Sequence, residues 1–226
     1  MIIDFKKNDT KVTFVITDYE RHEEALKMCY YQKEGDAYVK SFSSDIPNLE
    51  RIMQHYKEHA EEMFSQLIYL SPIPWEEALE VFAKRVEGSG IRWWLVGSCA
   101  ACIRGIPMNP HDVDIMMDSK DVDKINALFA DYIIEPIVDT NGWLTKDFGV
   151  LFWHGRIDIA TDPVASLDEP VPVDCGPYGR EHLEEVIWRG HTILVPPIDL
   201  MINANRLRGR MERVDMLESY LTHCKK

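Results

Sequence analysis

Cysteine is sparse and odd in number in this chain, five among 226 residues. Without dense spacing, these thiols exclude a disulfide-stapled scaffold and point to a reducing compartment. Basic charge is also short. Lys and Arg total 25 against 38 Asp and Glu, a formal charge of −13. An extended nucleic-acid surface is therefore not expected, because phosphate contacts consume an excess of cations. No apolar run reaches bilayer length, so no membrane association is expected. The first residues, Met-Ile-Ile-Asp4-Phe-Lys-Lys, lack a signal-peptide layout, which makes a cytoplasmic location the expectation. Internal repeats and low-complexity segments are absent too. What is present is ordinary globular material, with 46% hydrophobic and 28% charged residues, which excludes a disordered chain.

Local patterns divide the chain near Ser71-Pro72-Ile-Pro74. Before it, β-branched Lys11–Thr17 reads as a strand, and Met28–Gln32 and Ala37–Phe42 as two strands joined across Gly35-Asp36. From Ile46 to about Leu70, apolar residues at helical spacing predict a long helix. After the break, the pattern predicts a helix from Trp75 to Glu87, a strand Arg92–Val96, and a Gly97-Ser98 turn leading into a short helix. A strand Asp112–Asp118 and a helix Lys120–Tyr132 come next. Hairpins follow around His154-Gly155 and Arg189-Gly190, and helices close the chain from Pro196 to about His223. The expected fold class is α/β (α+β): a mixed sheet over residues 73–226 behind a small N-terminal α+β domain over residues 1–72.

Asp112 and Asp114 sit at i and i+2 on one expected strand, so their side chains share a face. Paired carboxylates beside the amides of a Gly-Ser turn suit a divalent metal and a polyphosphate. Asp158 lies inside a later apolar strand. An apolar strand ending in Gly97-Ser98, then Asp112-Val-Asp114, then Asp158 resembles the nucleotidyltransferase superfamily related to DNA polymerase β. The run Gly97-Ser-Cys-Ala100, then Gly105-Ile-Pro107 to His111-Asp112-Val-Asp114, resembles the branch of AbiEii-type toxins and small antibiotic nucleotidyltransferases. The resemblance covers roughly residues 75–215.

It implies a mixed-sheet nucleotidyltransferase fold and transfer of a nucleoside monophosphate from an NTP to a hydroxyl. It also implies Mg²⁺ or Mn²⁺ held by Asp112, Asp114 and Asp158. Gly97 and Ser98 would take phosphate charge at a helix N-terminus. Asp158 would help deprotonate the acceptor hydroxyl, and Arg206 would supply a cation to the nucleotide. A small-molecule or protein acceptor is favoured by the negative charge, with tRNA left open.

Two departures thin the phosphate side. Met108 and Pro110 stand where the family carries Arg and Thr, and Asn205 stands where Lys is usual. They support an alternative, a catalytically inactive nucleotidyltransferase fold serving as a binding module. A glycosyltransferase using Asp-x-Asp is a further alternative, but it would not need Gly97-Ser98. Cys99 and Cys102 read as small buried thiols, His55 and His59 as a solvated helix face, and Trp93-Trp94 as core packing. His111 is expected on the face opposite Asp112.

Overall fold

Chain order begins with a strand that the sequence pattern does not announce. The N-terminal part contains β1 (Ile2–Lys7), β2 (Lys11–Thr17), α1 (Glu23–Met28), β3 (Gln32–Glu34), β4 (Ala37–Ser43) and α2 (Leu49–Leu67). These are elements of a computed structural model that describes residues 1–224. The last two positions of the expected C-terminal unit, Lys225 and Lys226, lie outside the described residues. The strands form an antiparallel sheet in the order β1-β2-β4-β3.

Of the expected strand Met28–Gln32, residues 28–31 instead end a helix. The amides of Cys29, Tyr30 and Tyr31 bond back to the carbonyls of Ala25, Lys27 and Leu26, with Tyr30 at φ +61°. A left-handed residue after the last turn is a common way to stop a helix. The aromatic run Tyr30-Tyr31 has β propensity, which this local hydrogen bonding overrides. Only Gln32–Glu34 then pairs with β4, across the expected Gly35-Asp36 turn.

Helix α2 forms as its spacing predicts. Leu49, Ile52, Tyr56, Ala60, Met63, Phe64 and Leu67 are buried. Tyr56 packs edge-on against Phe14 at 4.7 Å in the N-terminal sheet, while the His55 ring meets the Phe152 carbonyl at 3.1 Å on the other side.

The remaining elements are α3 (Trp75–Val86), β5 (Trp93–Val96), α4 (Gly97–Cys102), β6 (Val113–Met117), α5 (Val122–Leu128), β7 (Ile133–Asp139), β8 (Asp147–Trp153) and β9 (Gly155–Thr161). They are followed by α6 (Pro177–Glu181), β10 (Glu184–Trp188), β11 (His191–Val195), α7 (Ile198–Leu207) and α8 (Met211–Cys224). Both hairpins turn where expected, with positive φ at His154, Arg189 and Gly190. The central sheet runs β5-β6-β9-β8-β7. Within it only β6 and β9 pair in parallel. The fold is therefore α+β with a mixed central sheet.

Period-two alternation sorts this sheet into a packed face and a working face. Val113, Ile115, Met117, Ile157 and Ile159 enter the main core, whereas Met116 packs with Trp94 and Val96 on the opposite side. Asp114 and Asp158 share the parity of Met116 and Ala160, so they leave the core on that second side. The main core is continuous from Phe14 and Tyr56 through Phe64 and Phe82 to Ile115 and Val150. A buried polar network crosses the same junction. The Tyr31 hydroxyl donates to Glu135 at 2.9 Å, and the Lys40 ammonium lies 2.5 Å from the same carboxylate. No described helix is long and apolar enough to cross a membrane.

Candidate active site

The carboxylates meet because of strand register. Asp114 on β6 is the direct partner of Asp158 on the parallel neighbour β9, which sets their Cα atoms about 4.8 Å apart, the spacing of adjacent strands. Asp112, two residues before Asp114, falls on the same face. Ligand oxygens of all three lie within 4.8 Å of one another. The donor set is wholly carboxylate oxygen, which fits a hard divalent cation such as Mg²⁺ or Mn²⁺ and suits softer metals poorly.

Burial shapes the charge of this cluster. Desolvation pushes the Asp114 carboxyl well above the usual range, reinforced by repulsion from Asp112, Asp158 and Asp174. Desolvation also raises Asp112, against the pull of Arg156, Arg210 and Arg213. Asp158 is pushed up to about 6 by desolvation, although Arg156 holds it down. The Arg156 guanidinium lies 2.6 Å from Asp158 through Nε and donates through Nη2 at 3.2 Å. Its Nη1 donates to Cys29 Sγ at 3.2 Å, so the N-terminal part anchors the residue that orients the third carboxylate.

Gly97 opens α4 at φ +68°, and a Cβ there would collide with the Asp114 carboxylate. The turn thus needs glycine twice over, for its backbone conformation and for close approach. Gly97→Ala is expected to cost about 1–3 kcal/mol from backbone strain alone and to displace Asp114. Urea denaturation should show the loss, and a wild-type midpoint would refute the reading. Ser98 is buried at the cleft wall. Cys99 and Cys102 are spent on packing, their thiols donating to the carbonyls of Asp112 and Met108.

Two clefts meet here, both bordered by Gly97, Asp114, Asp174 and Arg208. The polar one, of about 230 Å³, adds Ser98, Asp112, Arg210 and Arg213. Among the described residues no carboxylate is in salt-bridge reach of Arg208, Arg210 or Arg213. Burial and repulsion from Arg213 and Arg208 lower the Arg210 pKa, against the pull of Asp114 and Asp112. The second cleft contains Asp158 and is walled by Trp143, Leu144, Phe148 and Leu167.

Arg206 is not brought to either cleft. It is half-exposed and pairs with Glu218 at 2.6 Å. The arginines that line the polar cleft lie further along the chain, Arg208 and Arg210 in the turn between α7 and α8 and Arg213 in α8. Asn205 does line the polar cleft, with its amide donating to the Met201 carbonyl. Asp174 was not singled out by the sequence. It is buried, receives the Gly97 amide at 3.4 Å, and is raised by desolvation. Its loop context, Val173-Asp174-Cys175-Gly176, has no periodicity that would have marked it. His111 also borders the polar cleft, although its Nδ1 meets the Leu67 carbonyl at 2.8 Å. His55 and His59 form a second cluster with Glu58, but His55 is half-enclosed rather than solvated, its ring committed to Phe152.

A glycine-serine turn abutting Asp114 and Asp158 on paired strands and Asp112 just before the first of them, with an arginine-lined cleft on one side, is the layout of a nucleotidyltransferase. The sequence profile described as aminoglycoside-2″-adenylyltransferase matches residues 78–192. This chain belongs to that family. The match speaks for the antibiotic-modifying branch and does not single out the AbiEii-type toxins. No curated protein matches. Among solved structures, a nucleotidyltransferase, TM1012 from Thermotoga maritima, is 19% identical over 67% of this chain and 96% of its own, with a TM-score of 0.48. ANT(2″)-Ia, solved with adenylyl-2″-tobramycin, is 12% identical over 64% of this chain and 88% of its own, TM-score 0.46. Lincomycin-bound LnuA, a lincosamide antibiotic adenylyltransferase, is 15% identical over 66% of this chain and 99% of its own, TM-score 0.43.

Proposed function

We propose that this protein transfers a nucleoside monophosphate from an NTP to a hydroxyl of a small molecule. The observation that carries the reading is the convergence of Asp112, Asp114 and Asp158 beside the Gly97-Ser98 turn. Arg208, Arg210 and Arg213 supply the positive charge that Met108 and Asn205 withhold, which favours a catalytic site over an inactive binding module. The triphosphate would lie along the arginines of the polar cleft, with Ser98 as a further donor at the wall. Asp112, Asp114 and Asp158 would hold Mg²⁺ or Mn²⁺, and such an ion would neutralise charge on the phosphate oxygens.

The acceptor approaches from the second cleft, because Asp158 borders that one and not the polar one. In the transfer, the acceptor oxygen bonds to the α-phosphorus, the α–β anhydride bond breaks, and pyrophosphate leaves. The hydroxyl proton passes to Asp158, whose raised pKa near 6 leaves it ionised yet basic at neutral pH. Asp174 holds the Gly97 amide, and with it the turn. Residues 1–72 serve as an accessory unit and residues 73–226 as the catalytic unit. The net charge disfavours a tRNA or other polyanionic acceptor.

Thermal melting with each NTP, with and without Mg²⁺ or Mn²⁺, tests this reading. A nucleotide at about 100 times its Kd adds ~2.7 kcal/mol. The stabilisation should require metal and disappear in the Asp112→Ala/Asp114→Ala double variant. No shift with any nucleotide would refute the proposal.

A pH dependence follows from the same cluster. Carboxylates raised by burial make the metal-free folded state hold protons longer than the unfolded chain. For Asp158 the window runs from the ordinary carboxylate pKa near 3.8 to about 6. Metal-free stability from this source falls as pH rises through that window, then stays flat. Added Mg²⁺ should therefore raise the midpoint more at pH 7.5 than at pH 5. An equal shift at both values would contradict the assignment.

A further inference from the structure

The family match begins at residue 78, which leaves the N-terminal part without a role beyond anchoring Arg156. We propose that this part completes an apolar acceptor pocket, and that the acceptor is accordingly an amphipathic hydroxyl compound carrying at most one charge. The inference rests on the nucleotidyl-transfer reading and deepens it.

A cavity of about 310 Å³ lies between β4 and the edge strand β7. Its walls include Tyr30 and Phe42 from the N-terminal part and Pro136, Val138, Trp143 and Phe148 from the catalytic part. That volume falls at the lower end of small-molecule sites, and such an apolar lining is typical of them. Trp143 and Phe148 also wall the cleft that contains Asp158. The pocket and the reactive carboxylate are therefore joined by shared side chains. A molecule with its body in the pocket could present a hydroxyl at Asp158.

Two large aromatics stand open at this junction instead of packing into the core. Trp143 is 44% exposed and Tyr30 67%, with ring centroids 5.0 Å apart. Tyr30 occupies the left-handed position that ends α1, where glycine is the usual residue. An aromatic there gives up backbone comfort to place a ring at the pocket rim.

Charge narrows the occupant. Lys40 and Glu135 border the pocket, and they neutralise each other at 2.5 Å. Asp158 is already paired with Arg156. Of the charged lining, Asp139 remains, and its carboxylate accepts the Asn141 amide at 2.6 Å. Within this pocket a polyamine would meet one ammonium and a single carboxylate outside an ion pair, and it would have to desolvate several charges against aromatic walls. An uncharged or singly charged molecule with an apolar body meets no such cost.

The test uses the full chain and 1-anilinonaphthalene-8-sulfonate as a fluorescent apolar probe. Binding is titrated in wild type, Trp143→Ala and Tyr30→Gly, with melting recorded on the same samples. The dye should bind the wild type and weaken about tenfold in each variant, as expected for loss of an aromatic contact. Tyr30→Gly should melt no lower than wild type, because glycine suits the positive φ; this separates a lost contact from a lost fold. Octyl glucoside below its micelle concentration should displace the dye, and tobramycin should not. Undiminished dye binding in both variants, or displacement by tobramycin in preference to octyl glucoside, would overturn the proposal. Loss of the metal-dependent NTP stabilisation would strike the transfer reading instead, and the dye experiment does not depend on it.

Discussion

Asp114→Asn is expected to lose nucleotidyl transfer by on the order of 10³-fold or more, while its metal-free form melts at or above the wild-type temperature at pH 7.5. The two halves of this result have one cause. Asp114 is the carboxylate most strongly disfavoured as an anion, first by desolvation and then by Asp112, Asp158 and Asp174. Replacing it with an isosteric amide removes a charge that the folded chain holds at a cost. It also removes one of three oxygens that converge within 4.8 Å, and so the charge needed to hold a cation beside the Gly97-Ser98 turn. Pyrophosphate release with Mg²⁺ and NTP gives the first quantity, and calorimetry without metal gives the second. An active Asp114→Asn enzyme would remove the basis for the proposed chemistry. An inactive one that melts well below wild type would show that Asp114 serves the fold more than the site.

Arg156→Met is expected to destabilise the protein by about 3–5 kcal/mol, because removal of one member of a buried ion pair leaves the other without compensation. Arg156 is 4% exposed. It pairs with Asp158 at 2.6 Å and donates to Cys29 across the junction with the N-terminal part. Methionine fills much of the volume but offers no charge. Adding Asp158→Asn to Arg156→Met should recover a good part of the loss, a coupling that urea denaturation of the two single variants and the double variant would measure. Additive losses would mean that Arg156 acts through packing alone. The same cycle run on activity should show no rescue, since Asp158 is proposed to receive the acceptor proton.

Some of this architecture is local, and local patterns reveal it. Apolar spacing marks α2 and α3. The turns at His154-Gly155 and Arg189-Gly190 carry residues that accept positive φ. Other elements escape for physical reasons. Ile2–Lys7 is an edge strand with little burial, so it has scant hydrophobic alternation to read. Ile133–Asp139 contains Glu135 and Pro136, both poor strand signals. It is tolerated because β7 is an edge strand whose register with β8 shifts around Glu135 and Val138. Glu135 itself is buried by partners more than ninety residues earlier in the chain, Tyr31 and Lys40.

The sequence alone determined that Asp112 and Asp114 share a face, because strand periodicity is a property of the backbone. It likewise determined that Gly97-Ser98 ends an apolar strand, and that Asp158 sits within another. Tertiary structure decided the rest. Parallel pairing of β6 with β9 sets Asp158 opposite Asp114; the intervening helix and strands leave that register unspecified in any local window. The return of the 173–176 loop puts Asp174 under the Gly97 amide. Packing of α7 against α8 turns Arg206 outward to Glu218 and carries Arg208, Arg210 and Arg213 to the cleft. Each of these depends on contacts between residues distant in sequence, and side-chain identity fixes them only once the core has closed.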